Sequence, residues 1–212
     1  MNTLFKDRFD AARQLAAKLK QYANNPNAVV LAIPRGGLQL GNVLAHELHV
    51  PLDVVFTKKI GYPGNPEYAI GAVSAHHVFI SPDFVNMPEL HEYIMRQAES
   101  IRILLHQRAV EYREGMPPLD VTNKIVIVVD DGVATGNTLL ATLALLAEDN
   151  PLKIVVALPV ASRSAFELLQ KKVDELICLY VPDVFFGVGQ FYDNFEQVDD
   201  AEAIRLLHEA NR

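Results

Sequence analysis

Lys124-Ile125-Val126-Ile127-Val128-Val129-Asp130-Asp131-Gly132-Val133-Ala134-Thr135-Gly136-Asn137-Thr138 is the stretch that decides how this chain folds. Ile125 to Val129 are apolar, mostly β-branched and unalternated. Such a run suits a strand covered on both faces, as in a parallel sheet. Asp130 and Asp131 follow at the strand's carboxyl end, where open α/β sheets bind ligands. The small and hydroxyl residues of the next loop lead into an apolar helical run that starts near Thr138. Backbone N–H groups and hydroxyls at a helix start hold a phosphate. The stretch therefore reads as a sugar-phosphate site, with acids for sugar hydroxyls and a loop for phosphate.

Working outward, the same alternation of strand and helix recurs. Strands are expected near 28–33, 52–58, 153–160 and 175–181, besides 125–129. Helices are expected at 4–22, 38–49, 90–112 and 138–148, at the segment holding Phe166, Leu168 and Leu169, and at a short terminal run through Leu206 and Leu207. Ser162 or Ser164 suits the cap of the fifth helix, and Asp199 or Asp200 that of the last. This is an α/β pattern with a mainly parallel central sheet and helices on both faces. No internal repeat, low-complexity segment or long linker divides it, so residues 1–212 are expected to form one domain.

Two further turns carry candidate binding residues. Pro34-Arg35-Gly36-Gly37 follows the first strand: the glycines permit close approach of backbone to a ligand, and Arg35 offers a forked cation for phosphate oxygens. Lys58-Lys59 end the second strand and open Ile60-Gly61-Tyr62-Pro63-Gly64-Asn65-Pro66-Glu67-Tyr68, whose Gly and Pro density marks a loop. A long loop in a compact domain often serves as a lid. Residues 69–80 read as one or two short strands with a turn near 75–77. His76 and His77 fit that turn better than a metal site, since spacing supplies no third ligand.

Composition excludes several classes. The net charge of −7 argues against a nucleic-acid binder, which needs a basic face. Arg96, Arg102, Arg108 and Arg113 alternate with Glu92, Glu99, Glu111 and Glu114 on one helix, which is a solvated or packing face. No apolar run reaches membrane-spanning length. Lys6, Asp7, Arg8 and Asp10 leave no signal-peptide core. The one cysteine, Cys178, favours a reducing compartment and sits in an apolar run that suits a buried structural thiol. A cytoplasmic protein without a membrane or nucleic-acid partner is expected.

Val128-Val129-Asp130-Asp131-Gly132-Val133-Ala134-Thr135-Gly136-Asn137-Thr138 resembles the PRPP (5-phosphoribosyl 1-pyrophosphate) motif of type I phosphoribosyltransferases. It is not a nucleotide P-loop, because no lysine follows Gly136 and the glycine spacing differs. Pro34-Arg35-Gly36-Gly37 stands where that family has its pyrophosphate loop, and Lys58-Lys59 where it has a basic pair and a flexible catalytic loop. The likeness covers about residues 28–181. The N-terminal helix and the tail after Val181 are left as a variable hood or interface. The layout, including Gly64-Asn65-Pro66-Glu67, is similar to a group of bacterial phosphoribosyltransferase homologues with no assigned acceptor.

The resemblance implies a transfer of phosphoribosyl from PRPP to a nitrogenous, nucleobase-like acceptor with release of pyrophosphate. It implies 5-phosphate binding by Gly132, Val133, Ala134, Thr135, Gly136, Asn137 and Thr138. It implies ribose hydroxyls on Asp130 and Asp131, where negative charge also stabilises an oxocarbenium-like transition state. Pyrophosphate falls to Arg35, Gly36 and Gly37, with Lys58 and Lys59 on the leaving group. Mg2+ is implied as cofactor, carried mainly on PRPP and only weakly by Asp130 and Asp131. Family members are often homodimers. Oxopurine-specific members carry an aspartate where this chain has Ala134, so the adenine-type branch is the nearer match; Glu67 is a weak candidate base. Phe185, Phe186, Phe191 and Tyr192 either stack on a planar acceptor or plug a core edge or dimer interface. A regulatory protein that senses PRPP or a nucleotide is the alternative, and reversed or phosphorolytic chemistry a third.

Overall fold

The computed structural model describes residues 4–212, apart from the side chain of Glu67. Its centre is a parallel five-stranded sheet in the order β2-β1-β6-β7-β8. These strands are β1 (Ala28–Ala32), β2 (Leu52–Val54), β6 (Ile125–Val129), β7 (Lys153–Val160) and β8 (Glu175–Tyr180). Their helices are α1 (Arg8–Lys18), α2 (Gly37–Leu48), α4 (Asn137–Ala147), α5 (Arg163–Leu169) and α6 (Asp200–Ala210). Parity along the strands sorts the core into two layers. Val30, Ala32, Ile127 and Val129 pack under α1, α2 and α6 through Leu15, Leu44 and Leu207. Leu31, Val126, Val128 and Val156 face α4 and α5 through Leu143, Leu146 and Leu169. A strand buried on both sides needs apolar residues at every position, and β1 and the last four residues of β6 are buried.

Strands β1 and β6 are neighbours, paired from Ala28–Ile125 to Ala32–Val129. The chain leaves β1 toward β2 on one side and β6 toward β7 on the other. The crevice beyond their carboxyl ends is thus a topological switch point, the place where such sheets bind ligands. The register carries the Pro34–Gly37 turn alongside Asp130 and Asp131, and Ile33 N donates to Val129 O at 3.0 Å.

Residues 58–113 build a second layer between β2 and β6. An antiparallel sheet of β3 (Lys58–Tyr62), β4 (Asn65–Val73) and β5 (Val78–Ile80) packs on α3 (Pro88–Arg113). Ile60, Ile70, Val73, Ile94, Ala98 and Leu105 form its own core. Two expectations are corrected here. The segment after Lys59 is a hairpin rather than a loop. The hairpin accommodates Pro66 through register shifts on either side of Gly61, where a Cβ would meet Pro66 Cα at 2.6 Å. The smaller layer also comes from this insertion, not from the chain's ends. Helix α1 packs on α2 within the main core, and Leu4 and Phe5 before it pair with the tail, Phe5 bridging to Tyr192.

Several local readings hold. Ser162 caps α5, accepting from Ala165 N at 3.1 Å, and Asp199 caps α6, accepting from Glu202 N at 2.7 Å. The expected turn at 75–77 falls between β4 and β5. Helix α1 is shorter than its apolar pattern suggested, because the Asp7 side chain accepts from Asp10 N and fixes the start. Strand β2 ends at Val54, short of the expected 52–58. Cys178 is half-buried and its thiol pKa is pushed up to about 11 by burial, which suits a packing role. No helix of the described residues is long and apolar enough to cross a membrane.

Candidate functional site

Asp130 and Asp131 stand at the end of β6, side by side with the Pro34–Gly37 turn. The approach is close enough to require glycine. A Cβ on Gly36 would lie 2.2 Å from Asp131 Oδ2, and one on Gly37 would lie 2.9 Å from Val129 O. The Pro34–Arg35 peptide bond is cis. The two glycines and the two acids, far apart in the chain, thereby form one surface.

The acids differ in their partners. Asp130 keeps a partial opening to solvent but is densely surrounded by protein, and its Oδ1 accepts from Asp131 N at 2.9 Å. Burial, then the charge of Asp131, pushes its pKa well above the ordinary carboxylate range. Asp131 is pushed up by burial as well, against the opposing pull of Arg8. Arg8 is a residue that sequence reasoning missed. Its Nε donates to Asp131 Oδ2 at 2.7 Å, with the two side chains 7% and 17% exposed. Its Nη1 donates to Glu196 O at 2.8 Å, and its guanidinium lies 3.8 Å from the Phe195 ring centroid. The signal was present: Arg8 falls in register with Ala12, Leu15 and Leu19 on the buried stripe of α1, and a charge there needs a partner.

The phosphate loop is anchored from below and open above. Val133 is buried, bridges to Ala161, and exchanges hydrogen bonds with Val160 O and Ser162 N, each at 3.0 Å. Ser162 Oγ donates to Ala134 O at 2.5 Å. Gly136 is the residue before α4, with φ of +80°, a left-handed conformation that favours glycine. Ala134, Thr135, Asn137 and Thr138 are exposed around it. The first N–H groups of a helix have no partner within it, an arrangement suited to an anion.

A cleft of about 480 Å³ opens beside this loop, lined by Ile33, Pro34, Phe56, Lys58, Arg108 and Thr138 among others. Lys58 therefore reaches the same opening as the phosphate loop and the Pro34 turn. Lys59 is its exposed neighbour at the start of β3. Arg35 is one-third exposed, with Nη1 3.6 Å from Asp200 Oδ2.

The tail aromatics are placed differently. Phe191 and Tyr192 are buried with Phe5 and Val160, with Phe185 packed against them. Packing accounts for these three rings. Tyr192 OH donates to Asp131 O at 2.6 Å, and burial raises its pKa further above the usual tyrosine value. Only Phe186 of the four is exposed, at 85%. The Glu67 side chain lies outside the described residues.

Among the described residues no group of three or more His, Cys, Asp or Glu side chains is placed to hold a metal. Asp131 gives one oxygen to Arg8 and Asp130 one to a backbone amide. One carboxylate oxygen on each remains, which fits Mg2+ only as an ion that takes most of its ligands from substrate and water.

A parallel sheet with an acid pair, a glycine turn and a small-residue loop at its switch point defines an α/β protein with a crevice of the ligand-binding kind. The comparisons with known proteins narrow that class. The family model described as "Phosphoribosyl transferase domain" matches residues 3–196, and the chain belongs to that family. It is 37% identical over 211 residues to proteins of two Mycobacterium tuberculosis strains named "Putative phosphoribosyl transferase". The match covers 99% of this chain but 47% of theirs, so the chain spans about half the length of those curated relatives. The crystal structure of TT1426 from Thermus thermophilus superimposes with a TM-score of 0.86 at 37% identity, over 97% of this chain and 98% of that one.

Proposed function

We propose that the chain transfers phosphoribosyl from PRPP to a nitrogenous, nucleobase-like acceptor and releases pyrophosphate. The observation that carries this reading is the contact between Gly36 and Asp131. It joins a turn suited to pyrophosphate to acids suited to ribose hydroxyls, with a phosphate loop starting one residue later. A plain sugar phosphate has no use for the first of these three parts; PRPP has use for all.

In this reading the 5-phosphate lies on the N–H groups and hydroxyls between Gly132 and Thr138. The 2- and 3-hydroxyls donate to the oxygens that Asp130 and Asp131 have left. Arg35, with the N–H groups of Gly36 and Gly37, holds the pyrophosphate, and Lys58 and Lys59 counter the charge that builds on it as the bond to the anomeric carbon breaks. Negative charge fixed beneath the ring favours the oxocarbenium-like transition state over the neutral ground state. Bound Mg2+ would supply further neutralisation of the phosphate oxygens. In this reading the hairpin of β3 and β4 covers the cleft and excludes water. Residues 1–212 act as one domain, with the acceptor entering the cleft past Phe56 and Leu105.

The test is release of pyrophosphate from PRPP with Mg2+ across purines, pyrimidines and other nitrogen heterocycles. Acceptor-dependent release establishes the reading. A protein that binds PRPP but releases nothing with any acceptor is instead the sensor.

A further inference from the structure

Arg108 lies on α3, outside every stretch that resembles the family's motifs, and lines the same cleft as Pro34, Lys58 and Thr138. Its Nη2 is 3.5 Å from Asp200 Oδ2. Arg35 Nη1 approaches that same oxygen at 3.6 Å. Asp200 opens α6, and its other oxygen accepts a hydrogen bond from Tyr112, whose ring is fully buried. One anchored carboxylate therefore sits between two arginines, Arg108 from α3 and Arg35 from the turn before α2.

A structural tie between α3 and the core has a different appearance on the same helix. Arg113 grips Asp53 with both Nε and Nη2, at 3.0 and 3.1 Å, with side chains 18% and 7% exposed. The contacts at Asp200 are longer, and the Arg35, Arg108 and Asp200 side chains are 34%, 42% and 33% exposed. Exposed pairs of this kind hold weakly and exchange readily for a more highly charged partner. The spacing of two guanidiniums about a single oxygen anion also suits a phosphate group, which takes several charge-assisted hydrogen bonds at once.

We propose that Arg108 binds the pyrophosphate end of the donor together with Arg35, the Asp200 carboxylate standing in for a phosphate between them until the ligand arrives. This rests on the donor reading given above. Arg108 then joins Arg35 and the lysine pair around the leaving group, a cation that the motifs do not account for. Tyr112 is a positioning residue in this scheme, since it holds Asp200 and touches no ligand.

The experiment is calorimetric binding of Mg2+-pyrophosphate alone, so its readout does not depend on any acceptor. Arg108→Gln should weaken binding by about tenfold, the equivalent of one hydrogen bond to a charged group. Arg108→Lys should recover part of the loss, because it keeps the charge but not the fork. Asp200→Asn should bind as tightly as the parent or tighter, since the competing charge is gone while the Tyr112 hydrogen bond can persist. Equal affinity of Arg108→Gln and the parent overturns the proposal. So does weakening by Asp200→Asn as large as that by Arg108→Gln, which would make the trio a structural tie. If the parent binds neither PRPP nor Mg2+-pyrophosphate, the donor reading falls and this proposal with it.

Discussion

Arg8 Nε and Asp131 Oδ2 lie 2.7 Å apart across 123 positions of sequence. The first helix of the chain thus bears on the charge of an acid at the end of its sixth strand. Without this cation, the effect of burial on Asp131 would be less opposed and its pKa would rise further. Arg8→Met should therefore move the acid limb of the kcat/KM profile to higher pH, while Arg8→Lys moves it less. Breaking a buried pair from one side also costs about 3 kcal/mol, a fall in melting temperature of roughly 6–12 °C for a domain of this size. A stability loss with an unmoved acid limb would leave Arg8 a purely structural residue.

Asp130 carries the opposite consequence for stability. Its folded pKa is raised above the unfolded value near 3.8 by burial and by Asp131. The folded state then binds more protons than the unfolded one, so its contribution to stability is full below that value and is lost as pH rises toward the folded pKa. Asp130→Asn removes the titration. The variant should lose less stability than the parent between acid and neutral pH in denaturant melts, and its rate of transfer should fall by two or more orders of magnitude if the charge stabilises the transition state. Parallel pH–stability curves for the two proteins would show that Asp130 ionises normally.

Gly36 tests the joint between the two loops. An alanine Cβ would fall 2.2 Å from Asp131 Oδ2 and 3.0 Å from Arg8 Nε, so the ion pair must separate or the turn must shift. Overpacking of this kind costs about 1–3 kcal/mol. Gly36→Ala should abolish PRPP-dependent melting-temperature shifts that the parent shows. Gly187→Ala is the contrast: nothing lies within 4 Å of its Cβ position and its backbone is extended, with φ of 171°, so donor binding should persist. Retained PRPP binding in Gly36→Ala would separate the turn from the donor site.

The sheet and the two turns at its carboxyl edge were legible because they are local in sequence. An unalternated apolar run followed by two acids states its strand, its burial and its carboxyl end in one short stretch, Ile125 to Asp131. The hairpin after Lys59 was not legible, since Gly61, Pro63, Gly64 and Pro66 carry the composition of a loop; pairing with β4 and a bulge at Gly61 override it. Arg8, Arg108 and Asp200 were missed for a different reason. Each acts through a partner distant in the chain, and a single sequence offers no local pattern for such a pair. The tail aromatics show the limit on the other side. Their composition suits stacking on a base and core packing equally, and only the burial of Phe191 and Tyr192 separates the two.

Ser162 joins the two kinds of information, and its replacement separates them. The sequence marks it as a helix cap, which it is: Oγ accepts from Ala165 N at 3.1 Å. The same oxygen donates to Ala134 O at 2.5 Å and so tethers the phosphate loop to the start of α5. Ser162→Ala removes both bonds. Loss of the cap costs about 1 kcal/mol, or roughly 2–4 °C in melting temperature. Loss of the tether loosens a loop that, in the proposed function, holds the 5-phosphate and not the reacting carbon, so it should weaken donor and transition state alike. The expected result is a KM for PRPP raised by about threefold or more with kcat little changed, and recovery of both values in Ser162→Thr, whose hydroxyl can make the same two bonds. A lowered melting temperature with an unchanged KM would mean that the anchors at Val133 suffice and that Ser162 serves α5 alone.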